Sequence, residues 1–326
     1  VIGTGGTISG VGKDRLDLYE YGTTGRFAHV EEVIGTVPEL AQVADIVPIR
    51  YKNVGSGSIG PTEWLDLAGI IHKTAAEQPD IAGFVVTHGT ATLEETAYFL
   101  NLAIKIPAPV VVVGAMRPSS ALGADGGMNL LNAVRVAASP MARGMGAMVV
   151  LNDEINAARD VTKTSNYRVQ TFVSRDFGIL GYTDGDAVTF YRRPIRRGAP
   201  DTEFDVAGLK ELPRVDIVPA YGGTDAALVE AVIAAGAKGI ISAGFPSGSP
   251  TPMQKEALKK AAADGIIVVQ SSRSGSGRVI DNKVALREAG FLAADTLTPQ
   301  KARILLMLAL TVTKEPDEIR RIFLEY

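Results

Sequence analysis

The sequence predicts an α/β protein built on a largely parallel sheet, followed by a second, smaller α/β unit. Three observations carry this. Short apolar runs rich in β-branched residues, at 84–86, 109–113 and 147–151, end in Gly, Thr, Asn or Asp, as strands buried on both faces do. Stretches with helical apolar spacing fall between these runs, and alternating strands and helices make a parallel sheet covered by helices. The chain changes character over 191–213, where four arginines lie between Arg192 and Arg197, three prolines occur and no period is sustained. A length of 326 residues agrees with about two domains of roughly 150 residues each.

Taken in order, the apolar start Val1-Ile2 runs into a glycine-rich turn. Strand 84–86 leads to Thr92, placed as an N-cap with Glu95 three residues on, a capping box that opens a helix over 94–105. After strand 109–113, the loop 114–127 precedes a helix over 128–138. Beyond 191–213, strands 215–219, 239–243 and 266–269 alternate with helices 225–235 and 253–263. A final helix starts with Thr298 as N-cap and Pro299 at the first helical position, and continues to about residue 313. The expected division is an N-terminal domain over 1–190, a linker over 191–213 and a C-terminal domain over 214–326.

Composition narrows the function. With 46% hydrophobic and 21% charged residues and a net charge of -3, the chain is neither disordered nor fibrous, and no apolar run approaches the roughly 18 residues of a membrane span. The balance of 33 basic against 36 acidic residues gives no field for nucleic acid. No cysteine is present, which removes disulfides, thiolate catalysis and cysteine-bound metals; only His29, His72 and His88 remain as soft ligands, so no metal or cofactor is expected. The chain opens on Val1-Ile2-Gly3 without an initiator methionine or a signal-like segment; the expected compartment is the cytoplasm, with the periplasm as the alternative if a leader was removed.

In open α/β sheets ligands bind beyond the carboxyl ends of strands. Three such places gather polar residues. In Gly3-Thr4-Gly5-Gly6-Thr7-Ile8, closely spaced glycines let backbone N–H groups approach an oxyanion or a phosphate; a plain tight turn and a dinucleotide loop are the alternatives. In Thr87-His88-Gly89-Thr90-Ala91-Thr92, Thr90 is either a functional hydroxyl at a helix N-terminus or one of three threonines that only cap and turn. His88, without a second histidine at metal spacing, reads as a hydrogen-bonded structural residue. In Asp160-Val161-Thr162-Lys163-Thr164, Lys163 is either a desolvated proton acceptor or a surface lysine pairing with Asp160. A threonine hydroxyl needs a base before it attacks, so threonine and lysine in a glycine-lined pocket suggest acyl transfer through a covalent intermediate.

Together with Gly114-Ala115-Met116-Arg117 and Gly123-Ala124-Asp125-Gly126, these motifs resemble the bacterial-type L-asparaginase family along the whole chain, to Arg320-Arg321-Ile322-Phe323. The resemblance implies a larger N-terminal catalytic domain, a smaller C-terminal one, and homotetramers whose active sites form between subunits around a small-molecule substrate. Thr7 matches the family nucleophile, Thr90 with Lys163 the second Thr–Lys pair, and Ser56 the serine holding the substrate α-carboxylate. Tyr21, or Tyr19, takes the place of the loop tyrosine that assists the nucleophile. Gly89 is counted with the substrate-binding residues, and backbone N–H groups near Thr90 hold the oxyanion.

The departures gather at one subsite. Where the family has an aspartate for the substrate α-ammonium, this chain has Ala91; where it has a glutamine or similar residue, Gly57. The family's Gly-Asn-Gly-Asn is Pro246-Ser247-Gly248-Ser249, and its acid from the neighbouring subunit aligns with Lys283, with Glu288 nearby. Losing carboxylates around a buried ammonium and adding a cation disfavours free asparagine by several kcal/mol. The expectation is an amidohydrolase acting on a small carboxamide, lactone or ester without a free α-amino group. A genuine L-asparaginase or glutaminase and a weakly catalytic ligand-binding homologue are the alternatives.

Overall fold

The computed structural model describes residues 1–23, 25–281 and 283–326. The chain divides into two units, Val1–Ala207 and Gly208–Tyr326.

In the first unit the elements are β1 (Ile2–Gly5), β2 (Gly10–Val11), β3 (Arg26–Phe27), α1 (Val30–Gly35), β4 (Ile49–Val54), α2 (Pro61–Glu77), β5 (Phe84–Thr87), α3 (Leu93–Ala103), β6 (Val110–Val113), α4 (Gly126–Ala138), β7 (Ala147–Leu151), β8 (Glu154–Ala157), β9 (Thr162–Lys163), β10 (Phe172–Val173), β11 (Gly181–Thr183) and β12 (Val188–Phe190). Eight strands form one sheet in the order β12-β11-β8-β7-β6-β5-β1-β4. The run from β4 to β7 is parallel, and β8, β11 and β12 continue it antiparallel. The central strands β5, β6 and β7 are buried at every position, which is why they read as unbroken apolar runs rather than alternating ones. On one face, Leu130, Ala133 and Val134 of α4 pack with Val111, Val113 and Met148. Helix α3 is buried at ten of its eleven positions, from Leu93 to Ala103.

Strand β1 lies between β4 and β5, so the chain leaves β1 for one neighbour and returns to pair on its other side. That is a topological switch point, and the turns leaving β1, β4 and β5 open outward at their carboxyl ends. Thr7, Ser56 and Thr90 follow those three ends. A cavity of about 600 Å³, lined by Val1, Ile49 and Phe84 among others, lies instead at the amino ends of the same strands.

The second unit comprises β13 (Val215–Pro219), α5 (Ala227–Ala234), β14 (Gly239–Gly244), α6 (Pro252–Ala263), β15 (Ile267–Ser272), α7 (Val284–Arg287), β16 (Leu292–Ala293), α8 (Pro299–Val312) and α9 (Pro316–Glu325). Its four strands are parallel in the order β13-β14-β15-β16, around a core that includes Val218, Val229, Ile240, Leu258 and Phe291.

Two features differ from the sequence reading. Much of 191–213 is docked rather than free: Phe204 is fully buried, Ala199 N–H donates to Asn101 O at 2.7 Å, and the Thr202 hydroxyl donates to Leu102 O at 2.5 Å. The helix ending near residue 313 is also followed by another, α9, which buries Ile319, Ile322 and Phe323 at helical spacing and pairs Arg321 with Glu318 and Glu325.

Candidate active site

Strand β1 ends in Gly5 and Gly6, with φ of 103° and 80°, a conformation that side chains rarely adopt. A Cβ on Gly6 would stand 2.2 Å from Gly89 Cα, so the turn after β1 presses directly on the turn after β5. Gly6 N–H also donates to Val54 O at 2.9 Å, tying in the end of β4. Thr7 opens the short 3₁₀ turn Thr7–Ser9 that follows, and is half-buried.

Of the two candidate tyrosines, the structure brings Tyr21 to Thr7. Its hydroxyl lies 2.8 Å from Thr7 Oγ1, and either oxygen can be the donor. The Tyr21 ring covers Gly10, where a Cβ would sit 2.6 Å from Tyr21 Cδ2. Tyr19 is exposed and meets Tyr167 edge-on, with ring centroids 5.7 Å apart. The loop carrying both is anchored at its base. Ser119 gives its N–H (2.8 Å) and its hydroxyl (2.7 Å) to Gly10 O, Gly12 N–H donates to Ser120 Oγ at 2.8 Å, and Leu122 N–H donates to Arg15 O at 2.9 Å. Asp125 fixes that anchoring loop by accepting the N–H groups of Met116 and Arg117, both at 2.9 Å.

Beyond β5, the buried His88 is the middle of a directed relay. Trp64 Nε1–H donates to Thr96 Oγ1 (3.0 Å), whose hydroxyl donates to His88 Nε2 (2.9 Å), leaving Nδ1–H for Gly89 O (2.8 Å). The Gly89 carbonyl can only accept, which puts the proton of the neutral ring on Nδ1 and leaves Nε2 to accept from Thr96. Burial pushes the imidazole pKa down to about 4, in keeping with this structural role.

Thr90, 6% exposed, receives a hydrogen bond from Lys163 Nζ at 2.7 Å. Lys163 does not pair with Asp160, which meets Arg159 at 3.3 Å. Burial lowers the ammonium pKa from its usual value, and the Glu94 carboxylate opposes that shift. Glu94 Oε2 also accepts the Lys163 backbone N–H at 2.8 Å.

Ser56 is 8% exposed, and its Oγ accepts the Ala91 N–H at 3.2 Å. A Cβ on Gly89 would meet Ser56 Cβ at 2.8 Å, so only glycine lets these two turns close. Thr92 stands at the N-cap of α3, but its side chain makes no capping bond; the hydroxyl donates to Ser56 O at 2.7 Å instead. The expected capping box is therefore not made by Thr92, whose side chain is turned toward the Ser56 carbonyl across the switch point. Gly57 and Ala91 are both exposed beside this cluster.

Ser247 and Lys283 belong to the second unit, where they meet each other. Lys283 Nζ donates to Ser249 Oγ (2.5 Å), Ser247 Oγ (3.0 Å) and Ser247 O (3.3 Å). Ser247 holds φ of 65°, in the left-handed region, within the turn Pro246–Gly248. Glu288, at the C-cap of α7, is exposed.

Two contributors escaped sequence reasoning: Glu94, read only as part of a helix start, and Ser119, read as plain loop. For Glu94 a signal existed, since it lies four residues beyond Thr90 in the first turn of a helix leaving the site. Among the described residues no cluster of three or more His, Asp or Glu side chains could hold a metal, and no helix is long and apolar enough to cross a membrane.

Comparison with known proteins agrees with this geometry. Residues 1–196 match the family model "Asparaginase, N-terminal", and residues 214–323 match "Glutaminase/Asparaginase C-terminal domain". The chain is 45% identical to L-asparaginase 2 of Bacillus subtilis, covering 100% of this chain and 86% of that protein. It is 40% identical to a glutaminase-asparaginase of Pseudomonas fluorescens, over 100% and 90% of the two chains. The crystal structure of a probable cytoplasmic L-asparaginase from Campylobacter jejuni superposes with a TM-score of 0.92 at 43% identity, covering 100% of this chain and 98% of that one. With both units matched and such identity along its whole length, the chain belongs to the asparaginase family of amidohydrolases.

Proposed function

We propose that the protein hydrolyses the carboxamide of a small acid by threonine-based acyl transfer, and that this substrate lacks a free α-amino group. The contact that carries the chemistry is the 2.8 Å hydrogen bond between Thr7 Oγ1 and Tyr21 OH, next to the 2.7 Å pair of Lys163 and Thr90. Thr7 Oγ1 attacks the amide carbon, and its proton passes through the Tyr21 hydroxyl to the leaving nitrogen, which departs as ammonia. The Thr7 ester is then cleaved by water: the Thr90–Lys163 pair takes one proton from the attacking water, and that proton is returned to Thr7 Oγ1 as the ester C–O bond breaks and the acid leaves. Backbone N–H groups around Gly89 and Thr90, at the dipole end of α3, stabilise the oxyanion. Ser56 holds the substrate carboxylate. The active enzyme is a homotetramer, with Ser247 and Lys283 reaching the substrate from a neighbouring subunit.

The specificity reading rests on Ala91, an exposed methyl beside Ser56 where the family carries a carboxylate, and on Lys283, a cation in place of an acid. The names of the relatives favour a second reading, direct hydrolysis of L-asparagine or L-glutamine. Ammonia release from L-asparagine, D-asparagine, L-glutamine and succinamic acid, with Thr7→Ala as the blank, separates the two. Preference for succinamic acid, together with gain of asparagine turnover in Ala91→Asp, is the expected result. Strong Thr7-dependent turnover of L-asparagine by the unaltered protein would refute the specificity reading and leave the mechanism standing.

A further inference from the structure

Ala91 leaves the turn after β5 without an acidic side chain, yet Glu94 at the start of α3 accepts the Lys163 backbone N–H at 2.8 Å, and its charge acts on the half-buried Lys163 ammonium. We infer that Glu94 is the positioning residue of the Thr90–Lys163 pair, fixing the lysine backbone through one oxygen and setting, by its charge, the pH at which the lysine becomes a free base. This rests on the reading of that pair as the proton acceptor in hydrolysis.

Geometry places Glu94 for the task. It stands in the first turn of α3, where the helix dipole favours a negative charge, with a side chain only 6% exposed. Its Oε2 accepts the Lys163 N–H at 2.8 Å, and this holds the short strand β9 against α3. Opposite Lys163 on β10 stands Phe172, with Val173 opposite Thr162; on the lysine's own loop Asp160 is engaged by Arg159; and Tyr21 is bonded to Thr7. Thr90 Oγ1, accepting from Nζ, brings no charge. A carboxylate buried without a partner is costly, whereas one facing an ammonium is offset by it. With one carboxylate instead of two near the pair, Lys163 loses its proton at lower pH than it would with an acid also at position 91.

The sign is definite. Glu94 raises the lysine pKa against the lowering caused by burial, so Glu94→Gln, which keeps an oxygen for the Lys163 N–H, lowers it further. The test follows two readouts against pH in the intact protein. One is kcat; the other is the rate at which trace acetic anhydride acylates Lys163, followed by mass spectrometry, which reports the free amine whether or not turnover occurs. Glu94→Gln is expected to move the acidic limb of kcat and the acylation midpoint together to lower pH, by about one pH unit. Glu94→Asp, which keeps the charge but shortens the reach, should hold the midpoint and lower kcat. An unmoved acylation midpoint in Glu94→Gln, with kcat merely reduced, would overturn the inference. If Glu94→Gln fails to fold, Glu94→Asp still decides, because midpoint and kcat both unchanged would refute it. A midpoint that moves while kcat follows neither Lys163→Arg nor pH would uphold the coupling and overturn the catalytic role of the pair.

Discussion

Acid should destabilise the protein through one residue, His88. In the folded chain its pKa is about 4, against 6.5 for the free side chain, because burial disfavours the imidazolium. The Gly89 carbonyl, which accepts from Nδ1, opposes the shift only in part. Protonating Nε2 would turn it from acceptor to donor, so the Thr96 hydroxyl would have to redirect its proton and give up the bond it donates to the ring. The unfolded chain binds this proton near pH 6.5 and the folded chain only near 4, so stability is full above 6.5 and falls as pH drops through that window. The difference is worth about 3 kcal/mol. Urea unfolding at stepped pH, on the unaltered protein and on His88→Gln, isolates the term, since carboxylates such as Glu63 contribute to both. At neutral pH His88→Gln should be less stable by about 1–3 kcal/mol, having left Thr96 or Gly89 O unpaired. On acidification it should lose about 3 kcal/mol less than the unaltered protein. Parallel pH dependences for the two would refute the reasoning.

Two other outcomes follow from the site. Tyr21→Phe should lower kcat by about 100-fold with little effect on the midpoint of thermal unfolding, whereas Tyr19→Phe, which keeps the ring against Tyr167, should leave kcat unchanged; initial rates on the preferred amide decide. Gly6→Ala must displace backbone, because its Cβ would meet Gly89 Cα at 2.2 Å with φ at 80°. It should cost about 1–3 kcal/mol in urea unfolding and at least roughly 100-fold in kcat, while Gly35→Ala, with nothing within 4 Å, should cost neither.

Much of the fold was legible because burial on both faces leaves a plain trace. The all-valine β6 and the buried β7 stand out as apolar runs, and the proline opening α8 sits at the first helical position. What stayed hidden is where polar side chains spend their hydrogen bonds. Thr92 looks like a cap from its neighbours in sequence, but its acceptor, the Ser56 carbonyl, is 36 residues away. Thr7, Thr90 and Lys163 were readable as a set from their motifs, while the choice of Tyr21 over Tyr19 depended on the path of a loop that local sequence does not specify. Glu94 was obscured because an acidic residue in a first helical turn already has an ordinary explanation in the helix dipole. Helix α9 was missed because its three buried positions are sparse among charged residues.

The contact between Gly6 and Gly89 has a consequence for how such an enzyme can change over time. The turns bearing Thr7 and Thr90 are spaced by main chain against main chain, with no rotamer in between. Ala91 and Gly57, by contrast, sit on the exposed rim, and a Cβ on Gly57 would have nothing within 4 Å. Mutation can therefore sample the rim residue by residue while Thr7 and Thr90 keep their spacing. In a family built this way, new preferences for a molecule can arise in single steps without passing through an inactive ancestor.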